Sequence, residues 1–90
     1  MKYPCPCCGY RTLDEKPPGT FDICDVCNWE DDNVQYDNPD FEGGANIPSL
    51  RQAQINFCKF GASDKSCLVR VRPPKPEESR DPNWKFLDEQ

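Results

Sequence analysis

Cys5-Pro-Cys-Cys-Gly-Tyr10 and Cys24-Asp-Val-Cys-Asn-Trp29 decide how this chain reads. Cys5 and Cys8 are spaced C-x2-C and Gly9 follows; Cys24 and Cys27 repeat the spacing and Asn28 follows. Two such pairs, fifteen residues apart, have the spacing by which four thiolates converge on one metal ion. In a tight knuckle the residue after the second cysteine needs a left-handed backbone, which Gly adopts freely and Asn better than most. Pro6 presets φ for the turn that begins at Cys5. Cys5, Cys8, Cys24 and Cys27 are therefore the expected metal ligands. Four sulfurs in tetrahedral array suit one zinc ion, with iron as the alternative.

Cys7 lies inside the first knuckle, so C-x-C from Cys5 to Cys7 competes with C-x2-C from Cys5 to Cys8. The position of Gly9 favours Cys8. Cys7 is then expected to point away from the ion as a free or half-buried thiol. A neighbouring cation depresses a thiol pKa, so a thiol-redox sensor using Cys7 is an alternative reading. Seven cysteines in 90 residues also approach the composition of a disulfide scaffold. The odd count, and the lack of an apolar run at Met1 to Pro4, favour a cytoplasmic, reducing location in which such spacing means metal. No stretch nears the ~20 apolar residues of a membrane span.

Only 36% of the residues are hydrophobic and ten are proline. One domain of this size buries a small core, so metal binding is expected to contribute directly to folding. The net charge is −5, with no histidine. Asp14, Glu15, Asp22, Asp25, Glu30, Asp31 and Asp32 flank the knuckles, where a nucleic-acid binder needs Lys and Arg. A protein partner, basic if charge decides, fits better. Four cysteines fill a coordination sphere and leave no open position for water. No Ser/His/Asp or Cys/His arrangement activates a nucleophile. The expectation is a monomeric, non-catalytic protein-interaction module and not an enzyme.

Along the chain, residues 1–30 read as a two-knuckle metal module. Lys2 to Pro4 and Tyr10 to Leu13 should be strands beside the first knuckle. Lys16 to Gly19 should turn, and Thr20 to Ile23 should return as a third strand. Tyr3, Tyr10, Phe21 and Trp29 should pack around the sulfurs. Residues 31–48 read as an acidic and Gly-rich loop, solvated from Glu30 to Phe41, with Trp29 and Tyr36 as a candidate recognition surface. Its acidic spacing does not match a calcium loop, and Gly43-Gly44-Ala45-Asn46 lacks the spacing of a phosphate cradle.

Residues 49–71 read as helical. Ser49 and Gln52 form a capping box, Leu50, Ala53, Phe57 and Phe60 make an apolar stripe, and Gly61 caps the end. A second helix is expected from Ser63 to Val71, with Cys67, Leu68 and Val71 inward and Cys58 and Cys67 buried, although the alternation of Leu68 to Arg72 also fits a strand. Residues 72–90 read as an extended tail that starts at Pro73-Pro74-Lys75-Pro76. Its charged stretch Glu77 to Asp81 should be exposed. Trp84 and Phe86 should fold back onto the body, because exposed aromatics are a liability.

Two resemblances add to this reading. Cys5-x-x-Cys8-Gly9-Tyr10 with Pro18 to Asp22 and Cys24-x-Val26-Cys27 resembles a zinc ribbon or a shortened rubredoxin, which implies a metal-stapled α+β fold and, for rubredoxin, an iron electron carrier. Tyr3 to Tyr10, Cys27 to Asp32, Gly43 to Asn46, Ser49-Leu50 with Ala53, Arg72 to Pro74 and Arg80 to Trp84 resemble the bacterial cysteine-rich CPCC family. That likeness implies a small metal-binding domain and brings no activity with it. Asp25 stands where a proline is expected in the second knuckle, which costs one rigid turn residue and no ligand.

Overall fold

The computed structural model describes residues 2–88; Met1 and the last two residues of the tail lie outside the described residues. β1 (Tyr3–Pro4) and β2 (Arg11–Leu13) pair antiparallel, Tyr3 opposite Leu13 and Pro4 opposite Arg11, with an irregularity between the two pairs. The first knuckle is the connection between them. Leu13, Val26, Trp29, Leu50 and Ala53 close around the cysteines to form the core, and Tyr3, Tyr10 and Phe57 pack against it half-buried. The result is a small α+β chain with a Cα radius of gyration of 11.5 Å.

The third strand does not form. Phe21 N–H donates to Asp31 O and Asp31 N–H donates to Asp22 O, both at 2.9 Å, so two residues face one. Phe21 sits at φ 60, which makes the pair a β-bulge with its first residue in the left-handed region. Only the isolated bridge between Ile23 and Glu30 remains of a ladder. The bulge also turns Phe21 outward, 56% exposed and away from the sulfurs, whereas Trp29 is 1% exposed.

Glu30 to Phe41 is largely exposed, as its charge suggests, but it is not an irregular loop. Asp32 caps a short helix, α1 (Asn33–Asp37): its Oδ1 accepts from Val34 N (2.7 Å) and Gln35 N (3.3 Å). Asp32 Oδ2 accepts from Ala45 N at 2.8 Å, and this bond, ahead of the helix bonds, lowers the Asp32 pKa. Gln35 is fully buried. Its Nε2 donates toward the carbonyls of Phe41, Asn46 and Pro48 at 3.0–3.1 Å, and its Oε1 accepts from Asn46 N and Nδ2. Asn46 in turn bonds both Glu30 N and Glu30 O at 2.8 Å. Three polar side chains thus do the work of a core here. A Cβ on Gly44 would meet Asp32 Oδ2 at 2.7 Å and Gln35 Cδ at 2.9 Å, so the loop needs glycine at that position.

α2 (Leu50–Phe60) begins as its sequence implies, with Ser49 Oγ accepting from Gln52 N at 3.1 Å and Gly61 closing the end at φ 84. The capping box is half made, since the Gln52 side chain donates to Asn56 Oδ1 instead. Leu50 and Ala53 are buried and Phe57 is half-buried, edge-on to Tyr10 at 6.2 Å. Gln54, at the edge of the stripe, bridges two distant segments: Nε2 donates to Pro6 O (2.9 Å) and Oε1 accepts from Leu87 N (2.8 Å).

The second helix is a 3-10 helix over Lys65–Arg70, capped by Asp64 and not Ser63. Ser63 is instead buried, with its N–H on Cys27 O (2.9 Å) and its carbonyl on Asn56 Nδ2 (2.9 Å). Three residues per turn rotate Leu68 and Val69 outward, 45% and 90% exposed. Cys67 is half-buried and Cys58 exposed, so neither is the buried thiol that the helical stripe suggests.

The tail does fold back. Arg11 N donates to Ser79 O and Asp81 N donates to Gly9 O, both at 3.1 Å, so residues 79–81 run beside the start of β2. Trp84 lies on Gly9, its Nε1 donating to Pro6 O (3.1 Å), with Phe86 against it at 4.6 Å. The Arg80 guanidinium sits 4.5 Å from the Tyr10 ring and 5.3 Å from those of Trp84 and Phe86, while its Nε donates to Cys8 O (2.9 Å). Within the charged stretch, Glu78 is buried. The Arg72 guanidinium grips it in a bidentate pair at 2.7 and 2.8 Å and lowers its carboxyl to about 2.

Gln35→Ala removes a side chain whose amide group shares its two hydrogens among three carbonyls and whose oxygen accepts from Asn46 N and Nδ2. The variant should lose about 3 kcal/mol of unfolding free energy, measured by urea denaturation beside the parent protein. Gln52→Ala, which removes a solvent-side bond, should change it by less than about 0.5 kcal/mol.

Candidate metal centre

The two knuckles are built alike. In the first, Gly9 N–H donates to Cys5 O (2.8 Å) and Cys5 N–H to Tyr10 O (2.9 Å). In the second, Asn28 N–H donates to Cys24 O (2.7 Å) and Cys24 N–H to Trp29 O (2.9 Å). Gly9 at φ 80 and Asn28 at φ 69 supply the left-handed step that lets each turn close. Each knuckle therefore presents the sulfurs of its first and fourth residues on one side.

The sulfurs of Cys5, Cys8, Cys24 and Cys27 all lie within 4.8 Å of one another, and all four residues are 0% exposed. Cys5 to Cys27 and Cys8 to Cys24 are both 3.7 Å apart, far beyond a disulfide bond. A tetrahedron with metal–sulfur bonds of about 2.3 Å has edges of about 3.8 Å. The donor set and its spacing thus fit one ion in four-sulfur coordination, and the four cysteines can hold a metal.

Their electrostatics make the same point. Burial pushes the Cys5 and Cys27 thiols well up, and hydrogen bonding to Cys24 and Cys27 pushes up Cys8. Cys24 moves the other way, lowered by the neighbouring thiols of Cys27, Cys5 and Cys8 ahead of the Thr12 hydroxyl. A cation at the centre reverses the balance, since it favours the thiolate at every corner.

Two groups outside the four support them. Thr12 Oγ1 donates to Cys24 Sγ at 2.9 Å, and Cys7 N–H points to Cys5 Sγ at 3.4 Å. Thr12 is missed by sequence reading, because only the pairing of β2 with β1 turns it toward the sulfurs. Cys7 is fully buried rather than half-buried and lies outside the set of four. Cys67 accepts from Asn28 Nδ2 at 3.1 Å, and Cys58 stands on the open face of α2.

The model of one protein family, described as Cysteine-rich CPCC, matches residues 3–78. The chain belongs to the cysteine-rich CPCC family. No curated protein matches it. The CPCC match contains both knuckles, α1, α2 and the 3-10 helix. It ends before Arg80 to Trp84, which contact the first knuckle.

Thr12→Val keeps the shape of the side chain and removes the donor on Cys24. A metal held by the four sulfurs should then bind on the order of tenfold more weakly, read by competition with a chromophoric chelator.

Proposed function

We propose that the four cysteines hold one zinc ion as a structural staple, and that the stapled domain acts by binding another protein. The observation that carries this reading is the buried array of four sulfurs at tetrahedral spacing. All four corners are protein thiolates, which leaves no coordination position for substrate or water and favours a non-catalytic role. Zinc is preferred over iron because closed four-cysteine sites in small domains commonly serve structure. The free thiols favour a reducing, cytoplasmic setting. No helix among the described residues is long and apolar enough to cross a membrane. In this reading the chain works as a monomer.

The rubredoxin-like electron carrier is the second reading, since iron takes the same four sulfurs. Burial of Cys7 argues against a sensor that meets solvent oxidants directly.

Protein expressed in medium holding both metals should contain one zinc per chain and show no visible absorption band. One iron with a visible band would replace the zinc assignment. Removing the metal with a strong chelator should collapse the dispersed amide spectrum, because the binding free energy is folding free energy. An apo protein that kept its spectrum would overturn the staple. Metal affinity should rise with pH, since binding displaces thiol protons.

A further inference from the structure

The tail, the first knuckle and both α-helices meet along an open groove of about 600 Å³. That volume lies within the range of ligand sites. Pro4, Pro6 and Pro17 form rigid stretches of its wall, and Tyr3, Tyr36 and Trp84 present rings into it. Leu50 and Leu87 complete an apolar floor. Rings and prolines of this kind are the surfaces on which extended peptide segments pack.

The charge of the groove is opposite to that of the chain. Lys16 and Lys85 stand on its rim and are exposed. Neither ammonium is in an ion pair among the described residues. The one carboxylate among the described lining residues, Asp81, is already committed: Arg11 lies 3.5 Å from its Oδ2, and its Oδ1 accepts from Asn83 N at 2.8 Å. A chain with net charge −5 thus sets beside an aromatic trough two cations that pair with no carboxylate among the described residues.

We infer that this groove docks an extended acidic peptide segment of a partner protein, with an apolar side chain against Trp84 and carboxylates on Lys16 and Lys85. The inference rests on the interaction-module reading and gives it a partner chemistry, acidic at this site where the overall charge suggests a basic one. Trp84, Lys85 and Leu87 come from the tail, beyond the matched residues 3–78.

The test is fluorescence anisotropy of a labelled, end-capped peptide of glutamates around one phenylalanine, titrated with the full metal-loaded chain. Binding should weaken as salt is added. Lys16→Glu and Lys85→Glu, both at exposed positions, should each weaken it on the order of tenfold while leaving metal content and the amide spectrum unchanged. A counterpart with lysines in place of glutamates should not bind. The inference is overturned if the folded, metal-loaded chain leaves the acidic peptide free, or if the lysine peptide or the reversed variants bind equally well. Zinc is assayed on the same sample, so the two readings separate. A folded chain without zinc that binds the acidic peptide keeps the groove and removes the staple; a zinc-loaded chain that does not bind removes the groove alone.

Discussion

Convergence of four sulfurs within 4.8 Å is the constraint on which the rest of this chain depends. To bring them together, each knuckle must turn within four residues, and a turn that tight leaves backbone carbonyls pointing outward. Buried carbonyls need partners. The remainder of the fold supplies them. Gln54 and Trp84 donate to Pro6 O, Arg80 to Cys8 O, Asp81 N–H to Gly9 O and Ser63 N–H to Cys27 O. α2, the segment after it and the tail are thus each attached to the metal module at the carbonyls that its turns expose.

The same economy governs residues 31–48. A chain with 36% hydrophobic residues cannot cover every segment with apolar side chains. Asp32, Gln35 and Asn46 substitute hydrogen bonds for packing, and their value depends on all of them being made. The acidity of this stretch is therefore partly structural. Asp31 is fully buried, with Oδ2 accepting from Thr20 N at 2.9 Å, and Asp32 serves as cap and clamp. The tail uses a third device, a guanidinium stacked among three rings and bonded to the knuckle. By covering the first knuckle, it also completes a groove whose charge opposes that of the chain.

Local chemistry was legible wherever a residue's own backbone preference or its near neighbours decide the outcome. Gly9 and Asn28 marked the left-handed steps, Ser49 and Gly61 the ends of α2, and β1 and β2 the flanks of the first knuckle. Trp84 and Phe86 announced a docked tail, because aromatics of that size are not left in water without cost. The reading failed where distant partners decide. Phe21 looks like a strand residue, but the bulge against Asp31 turns it out. Glu30 to Phe41 reads as a solvated loop and is largely exposed, but nothing local says that it holds a helix or that Gln35 will reach the carbonyls of Phe41 and Pro48. Leu68 looks inward on an α-helical period and points out on a 3-10 one.

By itself, then, the sequence determined that four cysteines in two matched knuckles could meet, since spacing and turn preference act over a handful of residues. Tertiary structure alone decided which groups surround them: Thr12 on Cys24, Arg80 and Trp84 on the first knuckle, Cys7 sealed in the core, and two lysines on the rim of a groove. Those arrangements depend on hydrogen bonds between residues as far apart as Pro6 and Trp84. No local preference encodes such a bond; only the closed chain, with its carbonyls to satisfy, selects it.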